Sequence, residues 1–212
     1  MKNCYTAILS LFIVVKMNAQ PTQTGIAGEY YLRGVMETAS GFKLNTDSTF
    51  DFFFSYGALD RFGKGNWSTK DGDIIFNSKP WPGNDFSLLS SRVLKNDSLV
   101  IRINGENPMF ISGVYCLVQS QGKTFEQQTD KLGYIKFPKM KIDTVTLIFQ
   151  FCPERTSVFT ITDPKHNYFE FGFSEWIMEV FFKDFILHPV DSMLVGKHPL
   201  LEGISYNYKK TR

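Results

Sequence analysis

Three histidines, His166, His188 and His198, carry the side chains best suited to general base catalysis. Such a base must lie within hydrogen-bond reach of a serine or cysteine nucleophile and be oriented by a third group. His188 and His198 each precede a proline, which favours extended loop conformations, and no serine lies in the G-x-S-x-G pattern of a nucleophile elbow. The sequence therefore predicts a protein without catalytic activity, whose histidines are solvent-exposed loop residues.

The spacing of histidines and cysteines also argues against a metal ion. The sequence contains no H-x-H, H-E-x-x-H or C-x-x-C motif, and these are spacings that place ligands around zinc. It contains no G-x-G-x-x-G or Walker pattern either, so the loops that hold nucleotide phosphates are missing. We therefore predict neither a metal site nor a cofactor.

The segment from Tyr56 to Gly63 is the best candidate for ligand binding, because it combines two aromatic residues with an acid and a base. We expect it to be a loop between two strands, longer than a tight hairpin, and Tyr56, Asp60 and Arg61 are candidates for binding a sugar or another small molecule there. The alternative is that Tyr56 and Phe62 anchor the loop to the core while Asp60 and Arg61 are solvated.

Trp81 is a further ligand-binding candidate. It lies between Pro80 and Pro82, which hold the backbone extended. Its indole is expected to be either an exposed stacking platform or a plug at the end of a sandwich. A carboxylate pair such as Glu37 and Asp60 acting on a glycan would be an enzymatic alternative, but nothing in the spacing of these two acids supports their pairing.

The elements that must position these residues are β-strands. Apolar and polar residues alternate along 50–56 and 99–103, and again along 145–151, and a period of two is typical of a half-buried strand. Turn-forming residues cluster between these runs. The apolar segment 176–187 is rich in β-branched and aromatic residues, and we interpret it as a strand too.

These patterns predict an all-β protein in two parts. Residues 24–105 are expected to form an antiparallel meander, as a sandwich or a partly open barrel, and residues 106–212 a β-sandwich. The boundary falls at the turn-rich segment 104–108. No long linker separates the two parts, and whether they share one core stays open.

Residues 1–19 have the layout of a cleaved secretory signal. Lys2 gives a positive start, residues 7–15 form an apolar stretch and Ala19 is a small residue before the expected cleavage site. The apolar stretch is much shorter than the roughly 20 residues that a membrane-spanning helix needs. We therefore expect a mature chain that begins near Gln20, is exported to the periplasm or the cell exterior and does not span the membrane.

The charge balance argues against nucleic acid as a partner. The whole chain has 23 basic and 21 acidic residues, and removal of Lys2 and Lys16 with the signal leaves 21 of each. A nearly neutral chain without a basic run lacks the cationic surface that binds phosphates.

Two cysteines, Cys116 and Cys152, remain in the expected mature chain. Export to an oxidising compartment permits a disulfide between them. Because sequence cannot measure the separation of their Cα atoms, two free buried thiols are the alternative.

The segment 113–137 resembles the transthyretin-like, carboxypeptidase-regulatory-like β-sandwich of exported bacterial proteins. The resemblance rests on Gly113-Val114, Gly122-Lys123-Thr124 and the run from Thr129-Asp130 through Gly133 to Phe137. In that family the Thr-Asp pair and the glycine form a tight turn, and here Asp130 can close an Asx turn while Gly133 can adopt positive φ. The resemblance implies a structural or adhesive module.

The N-terminal half looks like uncharacterised exported bacterial proteins with a lipocalin-like meander. The resemblance rests on Gly28 to Tyr31, Ser40-Gly41-Phe42, Tyr56-Gly57-Ala58 and Gly65-Asn66-Trp67, and the signal ending in Asn18-Ala19-Gln20 is similar to those of Gram-negative envelope proteins. It implies an exported location and a fold but no activity.

Together these features predict a non-enzymatic binding or structural protein of a Gram-negative cell envelope, with a protein or glycan partner. The first alternative is a lipocalin-like carrier of a small apolar ligand. A closed barrel with a cavity lined by phenylalanines would favour the carrier, whereas a filled core with exposed aromatic residues would favour an interaction module. A glycan-acting hydrolase is the weaker alternative.

Overall fold

The computed structural model describes residues 23–211. The expected signal peptide, its cleavage site before Gln20 and Cys4 lie outside the described residues. The described chain is all-β, as predicted, with two four-residue helices, α1 (Gln23–Ile26) and α2 (Pro108–Ile111). Within residues 23–211, neither helix has the length or the apolar character needed to cross a membrane.

The first five strands form an antiparallel meander, in which each strand pairs with the next. They are β1 (Gly28–Arg33), β2 (Thr38–Leu44), β3 (Thr49–Tyr56), β4 (Leu59–Lys70) and β5 (Asp73–Asn77). On β3 the buried residues Phe50, Phe52 and Phe54 alternate with Asp51, Phe53 and Ser55. This is the period of two that the sequence showed.

The next eight strands form a β-sandwich of two four-stranded sheets. They are β6 (Phe86–Arg92), β7 (Ser98–Asn104), β8 (Val114–Ser120), β9 (Lys123–Gln128), β10 (Tyr134–Pro138), β11 (Thr144–Phe149), β12 (Ser157–Thr160) and β13 (Tyr168–Phe173). The sheets have the orders β10–β7–β13–β6 and β12–β11–β8–β9. Only the β13–β7 pair is parallel among the pairings of the described strands.

The last three strands return to the meander and close it into an eight-stranded barrel. They are β14 (Phe185–Val190), β15 (Met193–Gly196) and β16 (Tyr206–Lys210). Strand β14 pairs with β5 and β16 pairs with β1, both antiparallel. The sandwich is therefore inserted between β5 and β14 of the barrel.

The division of the strands between barrel and sandwich therefore does not follow the predicted boundary at residue 105. Strands β6 and β7 pack in the sandwich, and residues 185–210 belong to the barrel. The physical reason is that a five-stranded meander leaves β1 and β5 as open edges, and strands from the C-terminal end satisfy both of them. Alternation identifies a strand but does not identify its partners.

The segment 176–187 also differs from its interpretation as a continuous strand. Residues 175–178 form a turn, Glu179 makes an isolated parallel bridge to Phe62, and regular strand begins only at Phe185. Apolar character here reflects burial of the connector, because Phe182 points into the barrel among Phe50 and Phe52.

Aromatic rings fill the barrel interior. The ring centroids of Phe42 and Phe76 are 4.8 Å apart, and Phe182 lies 5.1 Å from Phe50. Gly63 makes room for Phe182, because a Cβ at Gly63 would lie 2.7 Å from a carbon of that ring. The interior is a packed core of aromatic side chains.

The predicted turn at Asp130 and Gly133 is confirmed. The Asp130 carboxylate accepts hydrogen bonds from the backbone N–H groups of Leu132 and Tyr134, and Gly133 has a φ of 79°. A Cβ at Gly133 would also lie 2.5 Å from the carbonyl oxygen of Ile103. The turn carries the chain from one sheet of the sandwich to the other.

The prediction of solvent-exposed histidines is wrong for His198, which is buried against the barrel core. Its Nδ1 accepts hydrogen bonds from the backbone N–H groups of Leu200 and Leu201 at 3.0 and 3.1 Å. Its Nε2 lies 3.0 Å from Ser40 Oγ, which itself donates to the carbonyl of Phe53. These partners fit a neutral imidazole protonated at Nε2, and burial lowers the pKa of His198 to about 4.

The stability of the protein should therefore fall as the pH drops from about 6.5 toward 4. In that window the unfolded chain binds a proton that the folded histidine does not, so the free energy of unfolding loses up to about 3 kcal/mol. The urea denaturation midpoint at pH 7.5 and pH 4.5 measures this loss. His198→Gln should flatten the pH dependence, and His188→Gln, at an exposed position, should not. Equal pH dependence in the wild type and His198→Gln would contradict the assignment.

Candidate functional site

The barrel meets the sandwich through three segments, which we call the junction. They are the connector 78–85 between β5 and β6, the loop 150–156 after β11, and the connector 174–184 between β13 and β14. The Tyr56–Gly63 segment of the barrel and Trp81 both lie at or beside this junction. The junction contains most of the buried charged groups of the described chain.

Arg155 connects all three segments of the junction. Its Nε donates to Asp85 Oδ2 at 2.7 Å, its Nη2 donates to the carbonyl of Ile177 at 2.6 Å, and its Nη1 donates to the carbonyl of Glu179. The side chains of Arg155 and Asp85 are both buried. A guanidinium can make these bonds because its donors lie in a fixed plane and point in different directions.

Asp85 completes this arrangement on its other side. Its Oδ1 accepts a hydrogen bond from Trp81 Nε1 at 3.0 Å, its backbone N–H donates to Ser157 Oγ, and its carbonyl accepts from the N–H of Ser174. Trp81 is therefore half-buried and fixed to the junction. Its position is closer to the predicted plug than to the predicted platform.

The segment 56–63 is not the long loop that the sequence suggested. Tyr56 pairs with Leu59 across a two-residue turn, and Gly57 provides the positive φ of 58° that the turn requires. Residues 59–63 are part of β4, so their side chains alternate between the barrel interior and its outer face. Asp60 is exposed on the outer face.

Arg61 consequently points into the end of the barrel. Its side chain is 2% exposed, and its Nη2 donates to Glu154 Oε1 at 2.7 Å. The alternative in which Arg61 is solvated and Phe62 anchors a loop is wrong, because Arg61 is buried and Phe62 is exposed. Arg61 Nε is buried without a hydrogen-bond partner among the described residues.

Glu179 lies beside Arg61 with its backbone carbonyl and pairs with Lys79 through its carboxylate. The carbonyl of Glu179 is 3.4 Å from Arg61 Nη2, and the Glu179 carboxylate pairs with Lys79 at 3.0 Å. One carboxylate oxygen of Glu179 is buried without a partner among the described residues. The junction thus combines buried positive and negative groups whose hydrogen bonds are only partly satisfied.

Two clefts open at the junction on either side of Glu154 and Leu200. The first, the Arg61 cleft, has a volume of about 360 Å³, and its lining includes Phe54, Tyr56, Leu59, Arg61, Phe151 and Glu154. The second, the Trp81 cleft, has a volume of about 400 Å³, and its lining includes Trp81, Arg155, Val180, Phe181 and Lys183. The candidates Tyr56 and Arg61 therefore share one cleft, Trp81 lies in the other and Asp60 is in neither.

Neither cysteine is part of a disulfide in this structure, so the alternative of two free buried thiols holds. Burial raises the pKa of Cys116 to about 12 and that of Cys152 to about 11. Both thiols are therefore protonated near neutral pH and poorly nucleophilic. Cys152 Sγ donates to the carbonyl of Ile177, which adds a contact within the junction.

The other two histidines also have polar partners that the sequence did not reveal. His188 Nδ1 lies 2.7 Å from Asp73 Oδ1. His166 Nδ1 lies 2.9 Å from Ser91 Oγ and its Nε2 lies 3.5 Å from Asp163. Ser91, His166 and Asp163 are the residue types of a hydrolytic triad. They line neither junction cleft, and we assign no reaction to them.

Two further possibilities raised by the sequence concern a metal ion and the acid pair Glu37 and Asp60. Within residues 23–211 no three His, Cys, Asp or Glu side chains are grouped to bind an ion. Glu37 lies in the turn before β2 and Asp60 on β4, with β3 between these elements. The junction can instead bind an anionic group at Arg61 and apolar groups beside it.

Comparisons with protein-family models, curated proteins and solved structures give no match for this chain. The transthyretin-like and lipocalin-like resemblances therefore stay predictions.

Sequence reasoning missed Asp85, Glu154, Arg155 and Glu179. One signal for Glu179 was present, because it is the single acid in the otherwise apolar run 176–182, and a lone charge in such a run must find a partner when buried. The partners of Arg155 lie 22 or more residues away, and no local pattern indicates them.

Replacing Arg155 with Met should destabilise the protein by about 3–5 kcal/mol, because the Asp85 carboxylate is left buried without its charge partner. Arg102→Met is the control, since Arg102 forms a more exposed pair with Glu170 at 3.8 Å and should cost no more than about 1 kcal/mol. Urea denaturation measures both. Adding Asp85→Asn to Arg155→Met should recover part of the loss, and similar losses in the two single variants would contradict this role.

Proposed function

We propose that the protein is an exported binding protein without catalytic activity, and that its ligand occupies the Arg61 cleft. One observation supports this proposal above the others. Arg61 is buried beside an apolar cleft, and its Nε has no hydrogen-bond partner among the described residues. A buried donor without a partner is costly, and a ligand oxygen would remove that cost.

The lining of the cleft fits a small amphipathic molecule. Phe54, Leu59 and Phe151 provide apolar surface, and Arg61 and Glu154 provide charged groups at one side. Small-molecule sites are commonly apolar with a few polar groups that fix orientation, and their volumes begin at roughly 300 Å³. Tyr56 is 51% exposed at the rim and can cover a bound ligand.

The Glu154 carboxylate indicates the chemistry of the ligand. It occupies the Arg61 Nη2 donor at 2.7 Å, and its own side chain is 45% exposed. This half-exposed side chain can turn into solvent, but the buried guanidinium then needs another anion, because a buried charge without a partner is strongly destabilising. The carboxylate or similar anionic group of a ligand would then bind Arg61 in its place, with the apolar part of the ligand against Phe54 and Leu59.

The barrel interior is less suited to this role. A lipocalin-like carrier needs an interior cavity, whereas rings such as Phe42, Phe76 and Phe182 pack against one another here. The location at a Gram-negative envelope rests on the signal-like residues 1–19. N-terminal mass spectrometry of the protein from its native host, with Gln20 at the start, would support export.

Titration with 8-anilinonaphthalene-1-sulfonate, an aromatic anion whose fluorescence rises in apolar sites, tests the proposed site. We expect saturable binding of one dye that decanoate displaces. Tyr56→Ala should weaken binding severalfold, and Glu154→Gln should strengthen it, because the competing negative charge is removed. Tyr115→Ala, an exposed tyrosine on the sandwich, is the control and should leave binding unchanged. Equal dye binding in all four proteins would overturn the assignment of the cleft.

A further inference from the structure

A row of aromatic side chains crosses the outer face of the barrel. Tyr31 on β1 lies opposite Gly41 on β2, Gly41 lies opposite Phe53 on β3, and Phe53 lies opposite Phe62 on β4. We call Tyr31, Phe53 and Phe62 the aromatic strip. Because neighbouring strands are about 4.8 Å apart, the strip extends across about 14 Å of the barrel surface.

Solvent reaches this strip although its members are large apolar side chains. Phe53 is 38% exposed and Phe62 is 48% exposed. Gly41 leaves room for the Phe53 ring, because a Cβ at that position would lie 2.9 Å from a carbon of the ring. The rings of Tyr31 and Phe53 meet above this glycine with their centroids 5.8 Å apart.

A row of charged residues runs parallel to the strip, one pleat away. Glu29 lies opposite Lys43, Lys43 opposite Asp51, and Asp51 opposite Lys64. Two negative and two positive side chains therefore alternate along the row, and all four are exposed. Among the described residues, neither Lys43 nor Lys64 forms an ion pair.

A shallow groove of about 210 Å³ lies between the two rows, and its lining includes Glu29, Tyr31, Lys43, Asp51 and Phe53. One side of the groove offers aromatic surface, and the other alternates hydrogen-bond acceptors and donors. Both sides are built on adjacent strands of a closed barrel, so their spacing is fixed before any ligand arrives.

We infer that this face of the barrel binds a neutral glycan chain. A sugar ring has an apolar face of C–H groups, which suits the negative face of an aromatic ring. Its edge carries hydroxyl groups, each both a donor and an acceptor, which suit alternating carboxylates and ammonium groups. A strip of about 14 Å is wide enough for several contiguous sugar rings.

The charge pattern selects this ligand over others. A polyanion would meet Glu29 and Asp51 as often as Lys43 and Lys64, so the row gives it no net attraction. A protein partner would more often cover a face that is poor in charges at its centre.

The glycan site is separate from the Arg61 cleft. The strip lies on the outer face of β1–β4, whereas Arg61 points into the barrel end. Binding of the dye at the cleft and binding of a glycan at the strip can therefore succeed or fail independently.

Isothermal titration calorimetry with four neutral oligosaccharides, cellohexaose, laminarihexaose, xylohexaose and hexa-N-acetylchitohexaose, tests the inference. At least one should bind, with an affinity that does not change with salt concentration. Phe62→Ala and Tyr31→Ala should each weaken binding about tenfold through loss of a stacking surface. Phe125→Ala is the matched control, because Phe125 is 37% exposed on the outer strand β9 of the sandwich, and it should bind as the wild type does.

Three outcomes would overturn the inference. The first is that none of the four oligosaccharides binds. The second is that alginate or another polyanion binds in a salt-dependent manner while the neutral chains do not. The third is that the wild type self-associates in sedimentation velocity, Phe62→Ala does not, and neither protein binds sugar, which would make the strip an interface between two copies.

Discussion

The guanidinium of Arg155 is the interaction on which the arrangement of the two parts depends. It binds the Asp85 carboxylate in one connector and the Ile177 and Glu179 carbonyls in the other. Once these bonds form, the chain leaves and re-enters the barrel at fixed positions. Phe182 then enters the barrel beside Gly63, and Glu154, next to Arg155 in sequence, reaches Arg61. One buried cation and its partners therefore help to position both Phe182 in the barrel core and Glu154 at the Arg61 cleft.

Because side chains fill the barrel interior, the surfaces available for binding lie at the end of the barrel and on its outer face. An eight-stranded barrel is just wide enough to be filled by side chains or to hold one small ligand. Here Phe42, Phe50, Phe76 and Phe182 fill it. The aromatic residues that remain exposed, such as Tyr56 and Phe62, lie beside charged groups. Apolar contact and hydrogen bonding can therefore act together at both proposed sites.

Local patterns in the sequence predicted the strands and the turns, because alternation and turn chemistry are properties of neighbouring residues. The Asp130–Gly133 turn and the buried face of β3 follow from such patterns. The pairing of β1 with β16 cannot be predicted in this way, because it joins residues that are far apart in the chain, such as Tyr30 and Lys210. The burial of Arg61 was missed for a related reason: a two-residue turn at Gly57 shifts the side chains that follow from a loop into the alternation of a strand. His198 was expected to be solvated because it precedes a proline, but it is buried and hydrogen-bonded to Ser40, which is 158 residues away in the chain.

Insertion of the sandwich between β5 and β14 also constrains the order in which the chain can fold. The Phe-rich meander is synthesised first, but its edge strands β1 and β5 stay unpaired until β16 and β14 have been synthesised. The sandwich strands pair only with one another, so the sandwich can form alone and bring Asn77 close to Asp184, which are 107 residues apart and hydrogen-bonded in the folded protein. Its prior folding thereby removes most of the loop-closure entropy cost that would otherwise oppose closure of the barrel. Until then, the unclosed meander exposes strand edges and phenylalanines that favour aggregation.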